Sequence, residues 1–187
     1  MKRDEFIEIF KTYIQRQGSD FLLSWIEDST FFSDPASTRF HGCYEGGLCE
    51  HSVNVWHELI RLLKAYPEIK VTAETAAIVA LLHDLCKIGC YKTELRNKKV
   101  NGVWVQQPTY VYDEDFPFGG HGSKSVYLIQ KYMPLSDEEA VAINCHMGFA
   151  DRSPSDYSTG NAYSAYPLAW LLHVADESAT YIKESHI

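Results

Sequence analysis

The stretch "AIVALLHDLCKIG", residues 77–89, most constrains how this chain can fold. Ala77 to Leu82 run without a polar break, and Leu85 and Cys86 continue the apolar character. Wound into a helix, such a run is apolar nearly all round, and a helix of that kind has to be enclosed by other elements. Yet it carries an imidazole and a carboxylate side by side, His83 and Asp84. A charged carboxylate in such surroundings is costly unless it is paired. Lys87, three residues on, could pair with Asp84 and would leave His83 unexplained. A divalent metal would satisfy both.

The rest of the chain reads as helices able to pack around that segment. Residues 4–16 place Phe6, Ile9, Phe10, Tyr13 and Ile14 on one face, and Gly18 stops that helix. "SDFLLSWIEDS" reads as a second helix with Ser19 as N-cap. Residues 29–47, rich in Ser, Gly, Pro and Asp, read as a loop. A third helix is expected over 48–66, closed by Pro67, and a fourth over 72–88, closed by Gly89. The period then changes. Asn101-Gly102 between Val103, Val105, Tyr110 and Val111 and the preceding segment signals a short β-hairpin. Helices follow over 121–133 and 136–147, the latter opened by a Ser136/Glu139 capping box. A loop with weak or no helix and a last apolar helix over 166–182 complete the chain. The expected architecture is all-α with one small hairpin. It forms a single domain over 1–187, with N-terminal helices and a loop in 1–43 and the core in 44–182.

Composition narrows the function. The chain has 187 residues, 45% of them hydrophobic and 22% charged, as in an ordinary globular domain. No apolar run approaches the ~20 residues that cross a bilayer. "MKRDEFIEIF" carries acids where a secretion signal would be apolar, so the expectation is a cytoplasmic protein. Five cysteines with no CxxC pair fit reduced thiols there. A net charge of −8 argues against a broad nucleic-acid surface and leaves room for a small phosphorylated ligand in a local basic pocket.

If a metal sits at His83 and Asp84, other apolar helices should supply further ligands. His51 follows "GGLCE"; His121 opens the fifth helix; His146 stands beside Ile143 and Cys145; Asp176 lies in "LAWLLHVADESAT". Imidazoles and carboxylates from separate helices are a common way for an α-domain to build a dinuclear site. Taken singly, each has a plain reading as a capped or solvent-edged group. His173, three residues before Asp176, could share its face. His41, His57 and His186 have no such context and read as structural or surface residues.

The ordered set His51, His83-Asp84, His121, His146 and Asp176 resembles the HD superfamily of metal-dependent phosphohydrolases. "GGLCEHSVNV", "ALLHDLCKIG" and "LLHVADESAT" match its motifs in order, and "FGGHGSKSVYLIQ" and "LSDEEAVAINCHMG" supply the two extra histidines of its dinuclear branch. The segments are similar to the HD domains of bacterial 3′→5′ exoribonucleases and of small HD hydrolases, over about residues 44–182. Cys86 stands where members often have Gly, and the His-His pair and GYP segment of cyclic-di-GMP phosphodiesterases are missing. The resemblance implies an HD-domain helical bundle holding two divalent transition metal ions (Mn, Fe, Ni, Co or Zn). His51, His83, Asp84 and Asp176 would take one, His121 and His146 the second, with Asp84 bridging.

The resemblance further implies hydrolysis of a phosphate mono- or diester of a nucleotide or short oligonucleotide by metal-activated water. Asp84 and Lys87 would be the catalytic pair. Lys87, and more weakly Lys124, would contact the phosphate, the alternative for Lys87 being a salt bridge to Asp84. Lys92, Arg96, Lys98 and Lys99 on the hairpin could contact a nucleotide, but read mainly as a solvated charge run. With no accessory domain, a long nucleic acid would find little to grip, and no membrane partner is implied; the oligomeric state is left open. Two rivals share the ligand set: an HD-type mixed-valent diiron oxygenase, and a non-catalytic nucleotide-binding module.

Overall fold

A computed structural model describes residues 2–114, 118–150 and 156–184. His186 and the "DRSPS" part of the expected loop lie outside them. Among the described residues there are eight α-helices: α1 Lys2–Tyr13, α2 Ser19–Asp28, α3 Gly47–Ala65, α4 Ala73–Leu82, α5 His121–Gln130, α6 Asp137–Asn144, α7 Ser158–Ala165 and α8 Pro167–Ser178. The strands β1 Tyr91–Val100 and β2 Val103–Tyr112 pair antiparallel, Tyr91 opposite Tyr112 and Val100 opposite Val103. The protein is thus mainly helical with one hairpin, as expected. Asn101 and Gly102 both take positive φ, 48° and 86°, the conformation a two-residue turn between twisted strands requires.

α4 is the central element. Ala77, Ile78, Val79, Ala80, Leu81 and Leu82 are all fully buried. α3 packs against both α4 and α8, α1 against α3 and α4, and α6 against α4, α5 and α8. Arg16 ties the N-terminal segment to this bundle. Its guanidinium grips both oxygens of the buried Glu139, at 2.7 and 2.9 Å, and Glu74 at 3.0 Å. The capping box of α6 forms as read, with the Ser136 hydroxyl accepting from the Glu139 N–H and the Glu139 carboxylate accepting from the Ser136 N–H. At the start of α2 the cap is Gly18 rather than Ser19, because Gly18 is left-handed (φ 90°) and a side chain there would collide with the Tyr132 carbonyl.

Two other differences bear on function. The helix expected over 72–88 ends at Leu82, so His83 and Asp84 stand at its C-terminal break and not in its middle; Leu85–Lys87 form a separate 3-10 turn. The reason is local. The His83 ring Nδ1 donates to the Ala80 carbonyl at 2.9 Å, engaging an acceptor that a continuing helix would use, and Asp84 takes φ −106°, ψ 17°. At the other end of the chain, α8 passes into a π-helical turn, Ala179–Lys183. The segment expected as loop also contains α7.

Candidate metal centre

Four elements bring the polar residues together. His51 comes from the first turns of α3, His83 and Asp84 from the break after α4, His146 from just beyond α6, and Asp176 from α8. His51, His83, Asp84 and His146 are buried, and Asp176 is nearly so.

Asp84 is the hub. Its Oδ2 lies 3.7 Å from His51 Nε2 and 3.5 Å from His83 Nε2. Its Oδ1 lies 3.5 Å from His146 Nε2. Asp176 Oδ1 is 3.1 Å from His51 Nε2, and the Nε2 atoms of His51 and His83 are 3.3 Å apart. Two triads of the expected residues have ligand atoms within 4.8 Å of one another, His51/His83/Asp84 and His83/His146/Asp176, and His41, His51 and Glu184 form a third such group.

The rings are aimed by their other nitrogens. His83 and His146 use the same device: each lies at the C-terminal end of a helix, and its Nδ1 donates to the carbonyl three residues back, Ala80 at 2.9 Å and Ile143 at 2.7 Å. A carbonyl can only accept, so Nδ1 carries the proton and Nε2 presents its lone pair inward. His51 is set by Glu184, whose carboxylate oxygens lie 3.1 and 3.2 Å from Nδ1, while Asn54 Nδ2 donates to the same carboxylate at 2.9 Å. The π turn brings Glu184 there. Residues eight apart on an α-helix point about 80° apart, and one extra residue in the turn reduces this to roughly 20°. Glu184 thereby returns to the face of Asp176, with its N–H bonded to Ala179 O at 3.0 Å.

The electrostatics of the centre are those of acids and imidazoles holding one another. Burial alone would push the Asp84 carboxyl up, but the Lys87 ammonium and then His83 hold it well below the usual carboxylate range. Burial opposes charge on His51, yet Asp176 and then Glu184 raise it to about 10. Lys87 Nζ sits 2.7 Å from Asp84 Oδ2, so the salt bridge read as its alternative role is present. Burial works against the Lys87 charge too, and Asp84 more than offsets it.

These residues fit a divalent ion. Hard carboxylate and borderline imidazole donors converge from separate elements, and His146 Nε2 is buried with no hydrogen-bond partner among the described residues. A metal would give that orphaned lone pair a partner. Of the residues singled out from sequence, His51, His83, Asp84, His146 and Asp176 meet here. His121, the first residue of α5, lies outside both triads; it lines a cavity of about 270 Å³ with Cys86 and Lys124. The three donors of Lys124 face the Cys86 carbonyl, the Cys90 thiol and Glu114, so a phosphate contact would require one of them to be released. His173 supports the site from behind: its Nδ1 donates to the His146 carbonyl at 2.8 Å. His57 pairs with Glu5 at the surface.

Two residues of the site escaped the sequence reading. One is Glu184, whose place depends on the π turn. The other is His41, set aside as structural or surface. Its ring lies 4.7 Å from that of His51, and both its nitrogens are buried without a hydrogen-bond partner among the described residues. Burial, then the charges on His51 and Lys87, push it down to about 4. His41 helps line a cavity of about 420 Å³ over the centre, with Asp84, Lys87, Asp176, Phe40 and Tyr181 also in its wall. No sequence signal marks either residue, since neither falls at the spacing of a helical ligand face.

A search of curated proteins and a search of solved structures each returned no match. A family model described as HD domain matches residues 48–181, a span that holds every expected ligand position and excludes His41 and Glu184. That family consists mostly of metal-dependent hydrolases. With a matching helical fold, and with His51, the His83-Asp84 pair and Asp176 gathered at one buried centre, this chain belongs to the HD-domain family.

Proposed function

We propose that the protein is a phosphohydrolase that cleaves a phosphate mono- or diester, of a nucleotide or short oligonucleotide, at a dinuclear His/Asp centre. One observation carries this reading. The two oxygens of Asp84 face different nitrogen sets, Oδ2 toward His51 and His83 and Oδ1 toward His146, as a carboxylate shared between two ions would. His51, His83, Asp84 and Asp176 would hold the first ion. His146 and Asp84 would hold the second, with His121 as the further ligand the family resemblance implies.

When bound, divalent ions supply Lewis-acid chemistry, acidifying water and offsetting charge on a phosphoryl oxygen. The chain's own groups do the rest. Lys87, one turn from the hub, brings a fixed ammonium to the cavity, where it can share its protons between Asp84 and a substrate oxygen. His41, neutral near pH 7, has an N–H to donate into the same space. Phe40, exposed beside it, offers an apolar face for a base. Glu184 and the Ala80 and Ile143 carbonyls keep three imidazoles in the tautomer a ligand needs.

The test is elemental analysis of the purified protein, followed by turnover assays with Mn²⁺ on nucleoside mono- and triphosphates, bis-aryl phosphates and short oligonucleotides. Stoichiometric metal and release of phosphate or nucleoside monophosphate are expected. Oxygen consumption with an organophosphonate or polyol, and no phosphoester cleavage, would assign the centre to oxygenase chemistry. Tight nucleotide binding with no turnover under any divalent metal would make the protein a binding module.

A further inference from the structure

The hairpin plays no part in the chemistry above. Its strands carry four cations, Lys92, Arg96, Lys98 and Lys99, against one carboxylate, Glu94, in a chain of net charge −8. Two of these cations do not simply face solvent. Arg96 and Lys98 line a concave groove of about 550 Å³ between the hairpin and the segment before α3, opposite Thr38 and Arg39 and beside Tyr110 and Tyr112. Among the described residues no carboxylate lines this groove. Arg39 and Lys98 have no ion-pair partner among them, and Arg96 has only Glu94, at 3.4 Å on the surface.

Arg39 also lines the cavity over Asp84 and Lys87. The two cavities therefore share Arg39 in their walls. Three cations converging on a concave surface repel one another unless an anion sits between them. Arginine forks suit the oxygens of a phosphate, and the adjoining tyrosines offer faces on which a base can stack.

We infer that this groove is a second phosphoryl-binding subsite, holding a substrate phosphate remote from the one that is cleaved. The inference rests on the phosphohydrolase reading and deepens it. The preferred substrates carry at least two phosphoryl groups separated by a nucleoside, as in a short oligonucleotide, because a mononucleotide would fill one cavity and leave the other empty. Binding at the remote phosphate anchors the substrate while Lys87 and the metal centre act on the near one.

The experiment compares the Mn²⁺-loaded wild type with the double variant Arg96→Gln/Lys98→Gln. The substrates are a 5′-phosphorylated trinucleotide and bis(4-nitrophenyl) phosphate, which has a single phosphoryl group. The KM for the trinucleotide is expected to rise about tenfold or more, with kcat held within about twofold, while both constants for the aryl diester stay unchanged. The variant Lys99→Gln, which removes a cation of the same hairpin outside the groove, should leave all four constants as they are. An unchanged trinucleotide KM, an equal rise on both substrates, or the same effect from Lys99→Gln would overturn the subsite. Should neither substrate be turned over, the hydrolase reading falls by itself, and titration of Mn²⁺-loaded protein with the trinucleotide decides the subsite. About tenfold weaker binding by the double variant, with a salt dependence shallower by roughly 1.4 in the log–log slope, supports it; equal binding refutes it.

Discussion

Glu184 reaches back 133 residues along the chain to hold Nδ1 of His51 at 3.1 Å, and Asn54 in turn holds Glu184. The pair fixes the ring so that Nε2 points at Asp84 and Asp176. Second partners of this type typically influence metal affinity by 10–100-fold. Glu184→Gln keeps an acceptor in place and removes its charge, so the expected loss lies at the lower end, about tenfold, and Glu184→Ala should lose more. Competition with a chromophoric chelator measures it. Equal affinity in wild type and Glu184→Ala would show that His51 needs no such support.

Lys87 and Asp84 form a mostly buried ion pair at 2.7 Å. Removing one partner of such a pair costs about 3–5 kcal/mol when the remaining charge is left alone. In metal-free protein Lys87→Met should therefore lower the melting temperature markedly. With metal bound, Asp84 keeps a cation and the loss should shrink. Turnover should fall while metal content stays intact. Thermal melts with and without Mn²⁺, together with elemental analysis, check all three; loss of metal on Lys87→Met would reassign Lys87 to holding the site.

Metal should also stabilise the fold. A ligand at about 1,000 times its Kd adds about 4 kcal/mol, which for a chain of this size is roughly 8–16 °C in melting temperature. Saturating Mn²⁺ should produce a rise of that order after chelator treatment. Asp84→Asn, which removes the carboxylate charge that faces His51, His83 and His146, should abolish most of it. Scanning calorimetry of both proteins provides the comparison.

Acid stability should depend on Arg16 and Glu139, far from the metal centre. Burial would raise the Glu139 carboxyl, but its bonds to Arg16 lower it below its ordinary 4.5. A carboxyl lowered in the folded state stabilises the fold above its unfolded pKa. That contribution disappears as the pH falls through the folded value. Wild type should thus lose stability on going from pH 5 toward pH 3. Glu139→Gln should be less stable at pH 7, by about 3 kcal/mol, and show a flatter decline over that window. Urea unfolding at a series of pH values tests the sign, and parallel curves would show that another carboxylate governs the decline.

The local elements were largely legible from the residues alone. The all-round apolar run of Ala77–Leu82 required a central helix, Asn101-Gly102 required a tight turn, and Ser136 with Glu139 required a helix start. Each depends on interactions within a few residues, which the order of side chains determines directly. The ordered histidines and aspartates also pointed to a metal-dependent family, because a buried carboxylate beside an imidazole needs a cation. What the sequence did not determine was where that helix stops. The His83 ring takes the Ala80 carbonyl, α4 ends at Leu82, and the two key residues face inward from a break.

Tertiary structure alone decided the remainder. A π turn of one extra residue put Glu184 behind His51, and the packing of the loop before α3 put His41 beside it. Lys124, read as a phosphate contact, became bonded to Cys86, Cys90 and Glu114. Two of the hairpin cations read mainly as a solvated run, Arg96 and Lys98, came to line a groove with Arg39. These outcomes depend on which distant segments meet. Burial, charge and hydrogen bonding are settled in three dimensions, whereas residue spacing reports only on the one element that contains it.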